Sequence, residues 1–509
     1  MAFEPVTKDL EIKFEKKLNQ ENVPVVLSIQ STEISIAKIV SISTNPCIDS
    51  ITCNNTNAQV EGKVLAKILI EDEEKSLHSL DGSANFTAQI VNSEINPESE
   101  IFAISQLLNI SNIQASKQAL SFTCNILIKP TLISKDNVKF LESISPKSQQ
   151  KVDEITYVDL VASSSQNFDI STELELPQSI SKILSVETHA VLKKVESGND
   201  IISLNGELYS NMLYLTNDET PKLKNQKYIQ EFNHELIANN ITTENFVEAT
   251  LQVNTTDFEV QGELNNSKAT VILKNQLHSN ILVRQQNTIT AVTDAFCPDY
   301  EFNIEYASFS QQKNSQRTYF EKIDGNLSID ENSERIDKIL AVSAGNAIIQ
   351  NTNLQEDLYT ITGILKCNII FKLDDEENSL QSIFSEVPFE INLKTDNLKD
   401  AIICPQIVPK DIEARIKKSK EIDILADLAV TLNILENFNG VTLQNISLGE
   451  KRTNSYSAMG YYIIPEAKDI WEVSKALLTS QELILEQNPE LTFPITSPQK
   501  ILIYRQKKL

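Results

Sequence analysis

Over most of the chain, apolar and polar positions alternate in short runs and seldom recur at helical spacing. Segments such as Thr250-Leu251-Gln252-Val253-Asn254 and Thr270-Val271-Ile272-Leu273 are β-branched, roughly alternating and separated by polar turns, the pattern of strands with one buried face. A mainly β, antiparallel architecture is the expectation.

The alternation carries a longer period. Lys38-Ile39-Val40-Ser41-Ile42 recurs as Lys182-Ile183-Leu184-Ser185-Val186 and as Lys338-Ile339-Leu340-Ala341-Val342. Gly62, Gly206 and Gly363 follow the three lysines by 24, 24 and 25 residues. An apolar triplet comes next in each copy: Ile68-Leu69-Ile70, Met212-Leu213-Tyr214 and Ile369-Ile370-Phe371. Acid-rich stretches follow (Glu71-Asp72-Glu73-Glu74, Thr216-Asn217-Asp218-Glu219, Asp374-Asp375-Glu376-Glu377), and then Phe86, Phe232 and Phe389. Five aligned features in three copies predict a tandem triplication of one unit. In each unit the Lys-Ile segment and the glycine-to-triplet segment are expected to be two strands of one sheet, with the acid-rich stretch an exposed loop after the second. The glycine marks a bulge or a close backbone approach and serves the fold.

The spacers near residues 135–165 and 285–315 are polar and read as surface connections between units. The expected domains are therefore residues 1–135, 150–285 and 312–445, three antiparallel β-sandwich-like repeats, followed by a small module over 459–509. In that module the period changes. Tyr461-Tyr462-Ile463-Ile464 reads as a strand, and Ile470, Val473 and Leu477 recur at helical spacing. Asp469 with Glu472 predicts an N-cap and capping box, and Thr479 with Glu482 repeats the signature for a second helix. Asn488-Pro489 stops that helix, and Lys500–Tyr504 supplies a closing strand. The order is strand, helix, helix, strand, with Trp471, the chain's single tryptophan, expected as its core anchor.

Composition narrows the function classes. A chain of 509 residues is too long for one hydrophobic core. Its 45 Lys and Arg against 70 Asp and Glu leave a net charge of −25, which repels phosphate backbones and anionic lipid, so nucleic acid is not an expected partner. Residues 459–509 are neutral, and the −25 sits upstream. Only 11 glycines occur, and no phosphate-cradling G-x-G-x-x-G or G-x-x-x-x-G-K-[ST] is present. The N-terminus lacks a basic-then-apolar signal, and no apolar run reaches the roughly 18–20 residues of a membrane span. The six cysteines form no C-x-x-C pair and read as a reduced, intracellular set.

Catalytic and metal motifs are lacking. The four histidines, at 78, 189, 234 and 278, fall in no H-E-x-x-H, and those of the second repeat have no histidine counterpart in the other copies. There is no G-x-S-x-G elbow, and the Asp374–Glu377 run lacks the calcium-loop pattern. A non-enzymatic binding or scaffolding protein without cofactor or metal is expected. Three related β units in series suit multivalent contacts.

Tyr462 to Arg505 resembles a LysM domain, carried by Ile470-Trp471, Asn488-Pro489-Glu490-Leu491 and Gln499-Lys500-Ile501-Leu502-Ile503. With the three upstream units, the whole chain resembles the SPOCS-repeat plus LysM proteins of endospore-forming bacteria, the SipL-type spore coat morphogenetic family. The resemblance implies a βααβ LysM domain whose shallow groove, here Ala467, Lys468, Asp469, Ile470, Asn488, Pro489 and Leu491, takes protein or N-acetylglucosamine glycan. It also implies a location in the mother-cell cytoplasm at the forespore surface, within the spore coat. The implied partners are the ATPase of the coat basement layer and other coat proteins, with peptidoglycan glycan as the alternative. Ala467 and Pro498 stand where the LysM pattern has glycine, restricting the backbone and weighing against glycan.

Overall fold

The computed structural model describes residues 4–144, 148–176, 180–261, 270–330, 332–342, 345–376, 379–395, 401–452, 459–464 and 468–504. Long antiparallel strands dominate. A first set comprises β1 (Pro5–Lys17), β2 (Glu21–Gln30), β3 (Lys38–Asn54), β4 (Asn57–Glu71), β5 (Leu77–Val91), β6 (Glu100–Ala115) and β7 (Ala119–Ile144). A second comprises β8 (Gln149–Glu175), β9 (Ile180–Ser197), β10 (Ile201–Thr216), β11 (Leu223–Ile237), β12 (Phe246–Gln261) and β13 (Thr270–Phe296). A third comprises β14 (Tyr300–Ser328), β15 (Ile336–Val342), β16 (Asn346–Gln355), β17 (Leu358–Leu373), β18 (Leu380–Lys394), β19 (Ala401–Lys418) and β20 (Glu421–Lys451).

Pairing follows one plan in the three sets. The middle strands form a meander: β3-β4-β5, β9-β10-β11, and β17 flanked by β15 and β16 on one side and β18 on the other. The first and last two strands form a second sheet, with the last strand central: β13 lies between β8 and β12, and β20 between β14 and β19. In the first set β1 and β2 divide the role of β8, pairing with Thr131–Ile144 and Ala119–Ile128 of β7.

The two sheets of a set enclose a shared core, such as Leu27, Phe122 and Ile126 of one sheet against Ile42, Ile68 and Ile70 of the other. The apolar triplets break strict alternation because both faces of the strand are buried there. Ile68 and Ile70 face the core of their own set, whereas Leu69 points the opposite way. Met212 and Tyr214 flank Leu213, and Ile369 and Phe371 flank Ile370, in the same manner.

Those outward residues meet. Leu69, Leu213 and Ile370 form one buried cluster with Val40, Leu184 and Ala341, edged by Leu77, Leu223 and Leu380. The central triplet residues of the three sets thus converge on a common axis, with Ala341 one position past the counterpart of Val40 and Leu184. A second convergence joins Leu141 and Ile144, Val292 and Ala295, and Leu443 and Ile446 from the ends of β7, β13 and β20. Polar side chains close the junctions: Asn368 Nδ2 donates to Val40 O at 3.1 Å, Asn211 Nδ2 to Val342 O at 2.9 Å, and Asn45 Nδ2 to Val253 O at 2.8 Å.

The glycines explain their own spacing. Gly62 pairs with Phe86, Gly206 with Phe232 and Gly363 with Phe389. Each phenylalanine ring lies over its glycine, and a Cβ there would sit 2.5, 2.6 and 2.5 Å from the ring. On the other side it would meet the Cys47, Val191 or Ile348 carbonyl at 2.3, 2.5 or 2.4 Å, beside a bulge in the adjoining strand.

The polar spacers differ from the expectation. They are strands, because β7 and β8 run to Ile144 and from Gln149, and β13 and β14 to Phe296 and from Tyr300. Strand β8 alone has 27 residues, roughly 90 Å at about 3.3 Å per residue. Its alternation of exposed and half-buried positions lets a polar sequence pair fully while keeping one face in water, which composition alone reads as loop. The remaining elements are β21 (Met459–Ile464), α1 (Ile470–Leu477), α2 (Gln481–Gln487) and β22 (Gln499–Tyr504), with β21 antiparallel to β22.

Candidate functional site

Local sequence fixes the C-terminal module. Asp469 caps α1: its side chain accepts from the Glu472 amide at 2.7 Å, and Glu472 accepts from the Asp469 amide at 3.2 Å. The helix ends on Leu478 in the left-handed region, φ 48°. The second cap is Ser480, one residue past the expected Thr479, and it accepts from Leu483 N at 3.3 Å. Thr479 instead closes α1, donating to Leu477 O at 2.9 Å while its own carbonyl accepts from the Ser474 hydroxyl. Ile464, Val473, Leu477, Ile484, Ile495, Ile501 and Ile503 form the module's core.

The expected groove residues have other engagements. Ala467 lies outside the described residues. The Lys468 carbonyl accepts from Ile495 N at 3.0 Å, which ties the loop before α1 to the loop after α2. The Lys468 ammonium, 3.1 Å from Glu472, and the Asp469 amide hold the Glu472 carboxyl below the usual carboxylate range. Asp469 is committed to the cap, and Ile470 is half-buried. Asn488 clamps α2 to β22, with Nδ2 donating to Ile484 O at 2.9 Å and to Leu502 O at 2.8 Å, and Oδ1 accepting from Leu502 N at 2.8 Å. Pro489 is exposed, and Leu491 packs on the module core. The two loops come together, but their polar atoms are spent on holding the module.

The outer face of the β21–β22 pair is different. Met459 (57% exposed), Tyr461 (72%), Ile463 (71%) and Tyr504 (50%) project to solvent, and Leu502, opposite Tyr461, shares the face. Alternation in β21 signals this only if both tyrosines are not assigned inward.

Trp471 is buried, but not as the module's anchor. Its ring packs on Phe296 at 5.4 Å between centroids, and its Nε1 donates to Asp294 at 2.8 Å. Lys475, one turn on, places Nζ 2.7 Å from both Asp294 oxygens. Both partners belong to the end of β13. The tryptophan therefore joins the module to the second strand set, because the small core is already filled by isoleucine, leucine and valine.

A buried charge cluster lies between the first and second sets. Arg284 of β13 reaches Glu248 of β12 at 3.0 Å and Glu15 of β1 at 3.2 Å, and their side chains are 4%, 11% and 3% exposed. Beyond Arg284 a cavity of ≈ 520 Å³ is walled by β9, β12 and β14. Sequence reading missed this arginine, since nothing local marks it.

The histidines stand apart from one another. His78 meets Asp72 at 2.8 Å, His234 stacks on Phe168 at 3.9 Å, and His278 meets Asn167 at 2.7 Å. Burial drives His189 down to about 4. None of the six cysteines forms a disulfide, and burial pushes the Cys47 and Cys367 thiols up to about 12 and Cys124 to about 11. Among the described residues no group of three or more His, Cys, Asp or Glu gathers at metal-binding distance, and no helix is long and apolar enough to cross a membrane.

Residues 35–117 match the family model of the SipL SPOCS domain. The stretch spans β3 to β6 and includes Gly62, the Ile68–Ile70 triplet and Phe86. It supports the SPOCS/SipL family and, with it, a role related to sporulation and the spore coat. No curated protein matches the chain.

Proposed function

We propose that this chain is a non-enzymatic spore coat morphogenesis adaptor. Three SPOCS-like repeats form its scaffold, and a LysM-like C-terminal module docks on proteins of the coat basement layer, its ATPase foremost. The setting is the mother-cell cytoplasm at the forespore surface. The SPOCS match over residues 35–117 carries the reading. The apolar outer face of β21–β22 supports a protein as the module's partner, since exposed aromatic and aliphatic side chains in a contiguous patch favour protein contacts. The Lys468–Ile495 bond across the expected groove weighs against glycan.

Full-length protein is tested for capture of purified basement-layer ATPase and for co-sedimentation with purified peptidoglycan. Capture of the ATPase, lost in Tyr461→Glu, is the expected result. Retention on peptidoglycan without ATPase capture would favour a cortex-binding LysM protein and end the adaptor reading.

A further inference from the structure

The end of β13 is one of three corresponding sites. Leu141 and Ile144, Val292 and Ala295, and Leu443 and Ile446 keep the same three-residue spacing where they meet. The corresponding bulges fall at Val6/Thr7, Val292/Asp294 and Glu305/Tyr306. Counting from these pairs, Asp294 corresponds to Ser143 and Asn445, and Phe296 to Ser447, the matching position of the first set lying outside the described residues. Asp294 and Asn445 even share a local bond, each accepting from the next backbone amide, at 2.8 and 2.9 Å.

Only the second set therefore combines an acceptor-only carboxylate with an aromatic ring. A carboxylate can accept from the indole N–H and the Lys475 ammonium together, whereas an asparagine presents a donor to one of them and a serine lacks the charge. The C-terminal module is found at that set.

We propose that the module is a latched arm, held on the second strand set by the Asp294 carboxylate and the Phe296 ring, and that this reversible latch masks the Trp471–Lys475 face of α1. The module's core is complete without the latch, so release does not require unfolding. The contact is narrow and Lys475 is 44% exposed, so salt reaches the ion pair. Any ligand that competes for Trp471 or Lys475 must first open it.

Because Trp471 is the single tryptophan, its fluorescence reports the latch in the full chain. Emission maximum and acrylamide quenching are measured for wild type, Asp294→Asn and Phe296→Ala, alongside hydrogen exchange at the Ile484, Ile501 and Ile503 amides. Both variants are expected to shift emission to longer wavelength and to raise quenching at least twofold, with the module amides still protected. Raising KCl from about 0.05 to about 1 M should move the wild type the same way. Unchanged emission and quenching in both variants would overturn the latch, as would tryptophan exposure accompanied by lost protection at the module amides.

Discussion

Replacing Gly206 by alanine tests the close approach on which each strand set is built. None of Gly62, Gly206 and Gly363 has a left-handed backbone, so the effect is steric. The new methyl would stand 2.5 Å from the Val191 carbonyl and 2.6 Å from the Phe232 ring tip. The ring can pivot at the expense of its burial, but the carbonyl belongs to a strand held on both sides of a bulge. Overpacking of this kind costs about 1–3 kcal/mol, and disturbing the adjoining ladder bond adds about 1 kcal/mol. Alanine's smaller loss of backbone freedom returns about 0.5–1 kcal/mol, for a net destabilisation of about 1–3.5 kcal/mol. Native-state hydrogen exchange across β9–β11 measures it locally, since a chain of several cores does not unfold in two states. A Phe232→Leu background separates the contributions: the ring's share of the cost should vanish and the carbonyl's remain. Protection in Gly206→Ala within about 0.5 kcal/mol of wild type would show that the strand pair yields and that the glycine is not required.

Other perturbations probe charge and capping. His189 sits neutral in the fold, its value lowered by burial from the ordinary 6.5 to about 4. The unfolded chain therefore binds the extra proton first, so its contribution is complete above about pH 6.5 and falls by up to about 3 kcal/mol as pH drops toward 4. Exchange protection across β9 and β10 in His189→Gln should show a weaker decline than in wild type between pH 6.5 and 4.5. Arg284→Met strands two buried carboxylates and should destabilise the junction of the first two sets by about 3–5 kcal/mol; exchange protection at β1 and β12 reports it, and Glu15→Gln in the same background should recover part. Asp469→Ala should cost the module about 0.5–2 kcal/mol, read from exchange at the α1 amides.

The regular features were visible in the sequence because each has a repeating physical cause. The Lys38–Ile42 segment pairs with the Ile68–Ile70 triplet as strands of one sheet, and Gly62 opposite Phe86 gives a fixed spacing that survives in the other copies. The Asp469 cap was equally readable, since a capping box is local. What could not be read depends on residues far apart in sequence. Trp471 finds Asp294 177 residues away, and Arg284 finds Glu15 on a different sheet, with no periodicity to announce either. The ribbons around Ile144 and Gln149 read as connections because a strand with one wet face has a loop's composition.

Three strand sets around one axis, joined end to end, behave unlike three separate subunits. A homotrimer must place the same side chain at every junction, and it falls apart on dilution. Here the positions eight residues before Leu141, Val292 and Leu443 are Ile133, Arg284 and Leu435, so a buried cation occurs once and aliphatic residues occupy the other two. Covalent linkage makes the ring's integrity independent of protein concentration, and it leaves each junction free to acquire its own strength.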